Sequence, residues 1–114
     1  MADNIFTKII AKEISAAIVY EDERVLAFRD VNPQAPVHIL VVPKKGISQV
    51  SEAKAGDEPL LGHLLTVAAE IARKEGIDAS GYRLVINTGR DAGESVPHLH
   101  VHLMGGRPMK WPPG

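Results

Sequence analysis

Three of the five histidines in this 114-residue chain fall at alternate positions, His98, His100 and His102, interleaved with Leu99, Val101 and Leu103. Alternation at period two is the pattern of a β-strand, whose successive side chains point to opposite faces. It predicts an apolar set facing a core and a row of imidazoles on the other face, with bases roughly 6.5–7 Å apart from one to the next. Rings so spaced can share a ligand, a metal or a proton network. Burying three titratable rings together is costly without a task. Two tasks compete: a zinc site built from His-x-His-x-His, and phosphorus chemistry in which one imidazole is the nucleophile. The outer two histidines lie roughly 13 Å apart at their bases on a straight strand, a poor span for one tetrahedral ion.

The segment just upstream favours phosphorus. Asn87-Thr88-Gly89-Arg90-Asp91-Ala92-Gly93-Glu94-Ser95 reads as a loop with two glycines and several small polar groups. Such a loop can set backbone N–H groups and a hydroxyl against an oxyanion. A zinc site needs none of these.

Ser95-Val96-Pro97-His98-Leu99-His100-Val101-His102-Leu103-Met104 resembles the signature of the histidine triad (HIT) superfamily. Asn4–Ile10, Phe28–His38, Pro43–Ser48 and the ending Trp111-Pro112-Pro113-Gly114 resemble its Hint branch, so that the likeness covers essentially the whole chain. The resemblance implies a nucleoside phosphoramidase, a hydrolase of AMP- or GMP-linked amines, working as a homodimer on a purine nucleotide without metal or other cofactor. His100 would attack phosphorus and form a nucleotidyl-histidine that water then hydrolyses. His102 would contact the phosphoryl group and help protonate the leaving group, and His98, with His38 behind it, would orient the network. Ser95 and the Gly93–Ser95 backbone would stabilise developing charge.

By the same resemblance Ile5, Phe6 and Ile9 line a purine pocket, Asp30 binds the ribose hydroxyls, and Asn87 binds phosphate or ribose. Phe28, Val31, Gly93 and Val96 count among the substrate-binding positions. Trp111 lies in a tail that reaches toward the partner subunit's site. From composition alone Asp30 reads as a turn-capping carboxylate, Asn87 as a turn residue, and the Trp111 tail as plain packing. Two positions depart from the family. Gly46 stands where some relatives carry a histidine. Glu94 stands where relatives commonly carry glutamine, and it either points to solvent or favours basic leaving groups. Related enzymes that cleave dinucleoside polyphosphates, and a non-catalytic nucleotide-binding or scaffold protein, are the competing readings.

The elements that must position these residues follow from patterning. Ile5, Phe6, Ile9 and Ile10 recur at helical spacing behind Asn4, predicting a short helix over 4–13. Ala17–Glu21 and Val25–Arg29 read as a hairpin around Asp22-Glu23-Arg24. Pro33 and Pro36 break the ladder before a strand over Val37–Pro43. A polar connection with a single helical turn leads to a long helix from Asp57 or Glu58 to Glu75, opened by Pro59 and ended by Gly76. Its stripe comprises Leu60, Leu61, Leu64, Leu65, Ala68, Ile71 and Ala72, with His63 on the solvated side. Tyr82–Asn87 is the fourth strand and the triad strand the fifth. The expected fold is α+β: one domain over 1–114, tail 105–114 included, with a five-stranded antiparallel sheet, one short N-terminal helix and one long central helix.

Thirteen Lys and Arg against 14 Asp and Glu leave a net charge of −1, so neither a nucleic-acid footprint nor a polybasic membrane patch is implied. No cysteine is present, which fits a cytoplasmic protein. Asp3 and Lys8 interrupt the first apolar run, which does not read as a signal peptide, and no stretch is long enough to span a membrane.

Overall fold

The computed structural model describes residues 3–114. Seven regular elements follow in order: α1 (Ile5–Ile10), β1 (Ile18–Glu21), β2 (Val25–Arg29), β3 (Val37–Pro43), α2 (Glu58–Lys74), β4 (Tyr82–Val85) and β5 (Val101–Gly105). The strands form the expected five-stranded antiparallel sheet, and its order is β1-β2-β3-β5-β4. Because side chains alternate across a strand, the sheet carries two cores. On one face Val25, Ala27, Ile39, Val41, Val101 and Leu103 pack with Leu64, Val67, Ala68 and Ile71 of α2. On the other face Leu26, Phe28, Leu40 and Val42 meet Phe6 and Ile9 of α1.

Six residues make too short a helix to persist alone. What holds α1 is its caps and its two buried side chains, Phe6 and Ile9, each worth about 1.5–3 kcal/mol relative to exposure. Asn4 Oδ1 accepts from the N–H groups of Phe6 and Thr7, and Thr7 Oγ1 accepts from Asn4 N–H. The helix stops at Ile10, short of the expected Glu13, because Lys12 adopts φ 64°. Lys12 N–H then reaches Ile9 O and Glu13 N–H reaches Lys8 O, the paired bonds of a left-handed helix cap. At the end of α2, Gly76 (φ 74°) makes the same closure.

The structure corrects several expectations. The triad strand begins only at Val101. Val96–His98 bend, and Leu99 N–H bonds Ile47 O in the loop after β3 instead of joining the ladder. The last β3–β5 pair is Val41 with Val101; β3 runs on to Pro43, but Pro43 has no N–H and its carbonyl takes the His98 ring, so the ladder stops there. β4 likewise ends at Val85, ahead of Asn87. The connection before α2 holds two single 3-10 turns, Val50–Glu52 and Ala55–Asp57. His63 is half-buried, its Nε2 2.6 Å from Asp22 Oδ2, a carboxylate oxygen that also accepts from the Tyr20 hydroxyl. Burial opposes charge on Asp22, yet the bonds from His63, Tyr20 and the backbone of Arg24 and Val25 hold its carboxyl well below the usual range. This cluster ties the hairpin turn to α2. Among the described residues no helix is long and apolar enough to cross a membrane.

Candidate active site

β5 and the segment before it run beside β3, and this pairing assembles the site. Leu40 on β3 faces His102 on β5, and His38 faces Met104. His38 and His102 are therefore diagonal neighbours on one sheet face, within reach of each other. His38 Nε2 lies 2.9 Å from His102 Nδ1. The proton on that bond can be assigned. His38 Nδ1 accepts from the backbone N–H of Gln34 at 3.0 Å, so the neutral ring carries its proton on Nε2 and donates it to His102. His102 then holds its own proton on Nε2. Asp30 Oδ2 lies 3.4 Å from the same His38 nitrogen, while its Oδ1 accepts from Asn32 N–H, the turn-capping bond that composition predicts.

His100 is fixed differently. Its Nδ1–H donates to the carbonyl of His98 at 2.7 Å, and its Nε2 has no hydrogen-bond partner among the described residues. The ring packs edge-on against Phe6 at 5.0 Å and His102 at 4.9 Å between centroids. A neutral imidazole held this way presents a bare lone pair on Nε2.

His98 does not stand in a row with the other two. It is 1% exposed, and its Nε2–H donates to Pro43 O at 2.8 Å, which leaves Nδ1 buried without a partner. His38 lies behind His102 and not behind His98, because β3–β5 register places it there. His98 instead supports His100 through its carbonyl. Burial holds His38 and His98 below the ordinary histidine value. His102 is pushed down to about 4, by burial first and then by the neighbouring His100 and His38, against a smaller opposing pull from Asp30.

The two pocket-facing rings open into a cavity of about 290 Å³. Ile5, Phe6, Ile9, Phe28, Asp30, Val31, Ser95 and Val96 line it with His100 and His102. One end is apolar and the other presents imidazole, carboxylate and hydroxyl. Val31 is 98% exposed and stands at its mouth. Ser15, Ala16 and Leu40 also contribute, positions the sequence did not single out. Leu40 was findable, since it lies two residues from His38 on β3; Ser15 and Ala16 carry no local signal. Gln34, whose backbone sets the His38 tautomer, was equally invisible.

Other expected site residues lie elsewhere. Asn87 and Trp111 line a separate groove beside β4, and Trp111 is 84% exposed. Gly93 (φ 80°) and Gly89 (φ 84°) bracket a single 3-10 turn, Arg90–Ala92, where backbone geometry favours glycine. Glu94 folds back on this loop. Its Oε2 accepts from Gly89 N–H at 3.3 Å, and its own N–H bonds Gly89 O. The carboxylate thus braces the loop that presents Ser95.

Asp30, His38 and His102 offer three ligand atoms within 4.8 Å of one another, close enough for a metal ion. The donor set does not fit one. A ligating His38 Nε2 must be unprotonated, which moves its proton to Nδ1, directly against the Gln34 N–H. Metal-bound histidines donate from the other nitrogen, and this one must accept. His98 and His100 donate from one nitrogen to carbonyls, the sense a ligand needs, but neither belongs to this cluster.

This geometry agrees with the comparisons. The HIT domain pattern matches residues 11–109. A HIT-like protein of Synechocystis sp. is 59% identical over 112 residues, covering 98% of this chain and 97% of its own. A "14 kDa zinc-binding protein" of Zea mays is 55% identical, covering 96% of this chain and 87% of its own. The crystal structure of a HIT family hydrolase from Legionella pneumophila superposes with a TM-score of 0.96 at 46% identity, covering 98% of this chain and all of that one. Matched by the HIT domain over residues 11–109 and 59% identical to a HIT-like protein across 98% of its length, the chain belongs to the HIT domain family.

Proposed function

We propose that this protein hydrolyses the P–N bond of purine nucleoside 5′-phosphoramidates through a nucleotidyl-histidine on His100. The observation that carries this reading is the bond from His100 Nδ1–H to the His98 carbonyl, which leaves Nε2 as a nucleophile at the cavity. Attack by Nε2 on phosphorus forms the N–P bond as the bond to the leaving amine breaks. Neutral His102 directs its Nε2–H at the phosphoryl group. The leaving amine departs with a proton taken from solvent at the cavity, and the water that attacks in the second step returns one. Ser95, at the cavity mouth, donates its hydroxyl to a phosphoryl oxygen. Water then attacks the same phosphorus, releasing the nucleoside monophosphate and restoring His100. The apolar end, with Phe6 and Phe28 edge to face at 5.6 Å, takes the base, and Asp30 takes the ribose hydroxyls.

In this reading the protein works as a homodimer. β4 is an outer strand of the sheet, and Ile86 and Trp111 expose apolar surface beside it. Steady-state hydrolysis of an adenosine 5′-phosphoramidate, set against a diadenosine polyphosphate, tests the assignment. Faster turnover of the phosphoramidate is expected. Preference for the polyphosphate would assign the same nucleophile to the other substrate class, and tight nucleotide binding without turnover would assign a binding role.

A further inference from the structure

One proton and two acceptors meet behind His102. His38 Nε2–H lies 2.9 Å from His102 Nδ1 and 3.4 Å from Asp30 Oδ2. The Gln34 N–H on Nδ1 bars His38 from shifting that proton to its other nitrogen. Where the Nε2–H is committed therefore depends on how strongly Asp30 Oδ2 competes. Asp30 Oδ1 is already taken by Asn32 N–H, so Oδ2 is the oxygen left to meet a ligand, and Asp30 lines the cavity.

We propose that a ribose hydroxyl bound at Asp30 switches the His38 proton fully onto His102, so that the sugar is read in the chemical step and not only in binding. A hydroxyl donating to Oδ2 weakens that oxygen as an acceptor for His38. The His38–His102 bond then gains the proton undivided. His102 is fixed with hydrogen on Nε2, the nitrogen that serves the phosphoryl group. Without the hydroxyl the Nε2–H divides between His102 Nδ1 at 2.9 Å and Asp30 Oδ2 at 3.4 Å, so the bond that holds the Nε2–H tautomer of His102 is weaker. Asp30 thus contacts substrate, and His38 is a positioning residue that carries the coupling. No bond other than hydrogen bonds changes. This inference rests on the phosphoramidase reading for its kinetic form, though the proton switch itself requires only nucleotide binding.

The test compares an adenosine 5′-phosphoramidate with its 2′,3′-dideoxy counterpart. In the wild-type protein the dideoxy substrate should raise KM and also lower kcat by about fivefold to tenfold, the size of one hydrogen bond. In His38→Phe the kcat values for the two substrates should converge to within about twofold while the KM difference persists, since Asp30 still binds the sugar. A dideoxy substrate that alters KM alone in the wild type would overturn the inference, as would a kcat difference that survives in His38→Phe. Should that variant fail to fold, ¹⁵N NMR of the wild-type imidazoles decides. AMP should shift His38 Nε2 and His102 Nδ1, and 2′,3′-dideoxy-AMP should bind without doing so; equal shifts contradict the switch. If no phosphoramidate is hydrolysed yet AMP alone produces the shift, the proposed reaction fails and the switch stands.

Discussion

The carbonyl of His98 holds the Nδ1–H of His100 at 2.7 Å, and this one bond orients the ring, fixes its tautomer and leaves Nε2 for chemistry. Its strength depends on a main-chain group that sits off the sheet ladder. The bend at Val96–His98, the Leu99 N–H on Ile47 O and the buried His98 ring on Pro43 O together set where that carbonyl points.

His100→Ala removes the nucleophile and should lower kcat by at least about 10³-fold, whereas Ser95→Ala removes one hydrogen bond to a phosphoryl oxygen and should cost about 10- to 100-fold. Steady-state kinetics on both variants, with folding checked by circular dichroism, reads the contrast. Near-normal turnover in His100→Ala would sink the mechanism.

Stability should fall in mild acid. His38, His98 and His102 all titrate below the ordinary value of 6.5 in the fold, His102 near 4. The unfolded chain then binds more protons than the folded one between these values. The stabilisation is fully present above about pH 6.5 and is lost as pH falls through the folded values, with His102 alone contributing on the order of 3 kcal/mol. Urea unfolding at a series of pH values should show a plateau above 7 and a steep decline from 6.5 toward 4. His102→Asn should make that decline shallower.

Chelation should leave the protein untouched. With His38 Nδ1 accepting from the Gln34 N–H, the Asp30, His38 and His102 cluster lacks a ligand tautomer at His38, and protein dialysed against EDTA should keep its activity. Elemental analysis should find zinc far below one per chain. Stoichiometric zinc bound at Asp30, His38 and His102 would contradict the tautomer assigned to His38.

Lys12→Gly should stabilise the fold slightly. Lys12 holds φ 64° at the end of α1, a conformation that costs a side chain about 1–2 kcal/mol. Against this stand the added freedom of glycine in the unfolded chain and loss of the exposed pair with Glu21 at 2.7 Å. A net gain of about 0.5 kcal/mol is expected, read as a rise in thermal midpoint of a few degrees.

The strands and the two helices were legible because each rests on a periodic pattern or on turn chemistry; the placing of His38 with the triad came from family likeness, which set it behind His98 where the register sets it behind His102. Val37–Pro43 and α2 match their predicted spans almost residue for residue. The period-two reading failed at His98, which leaves the row; His100 and His102 do share a face, though only His102 lies in the strand. A repeat in sequence cannot show where ladder bonds stop: opposite Leu99 stands Pro43, with no N–H and its carbonyl on the His98 ring, and Leu99 N–H goes to Ile47 O. The apolar lining from Ile5, Phe6, Ile9 and Phe28 was named from family likeness, not from periodicity, which shows only that these residues are amphipathic. What stayed hidden were main-chain groups: Gln34 N–H, His98 O and Pro43 O set all three tautomers, and every residue type carries such groups. Glu94 was ambiguous for a related reason, since its partner is the backbone of Gly89.

The most direct measurement is intact-protein mass spectrometry of the wild type quenched in acid-free denaturant during turnover of an adenosine 5′-phosphoramidate, with His100→Ala in parallel. The account predicts a transient species heavier by one nucleotidyl group, mapped by peptide digestion to His100 and missing from the variant. Turnover by the wild type with no adduct at any quench time, or an adduct that persists in His100→Ala, would contradict it.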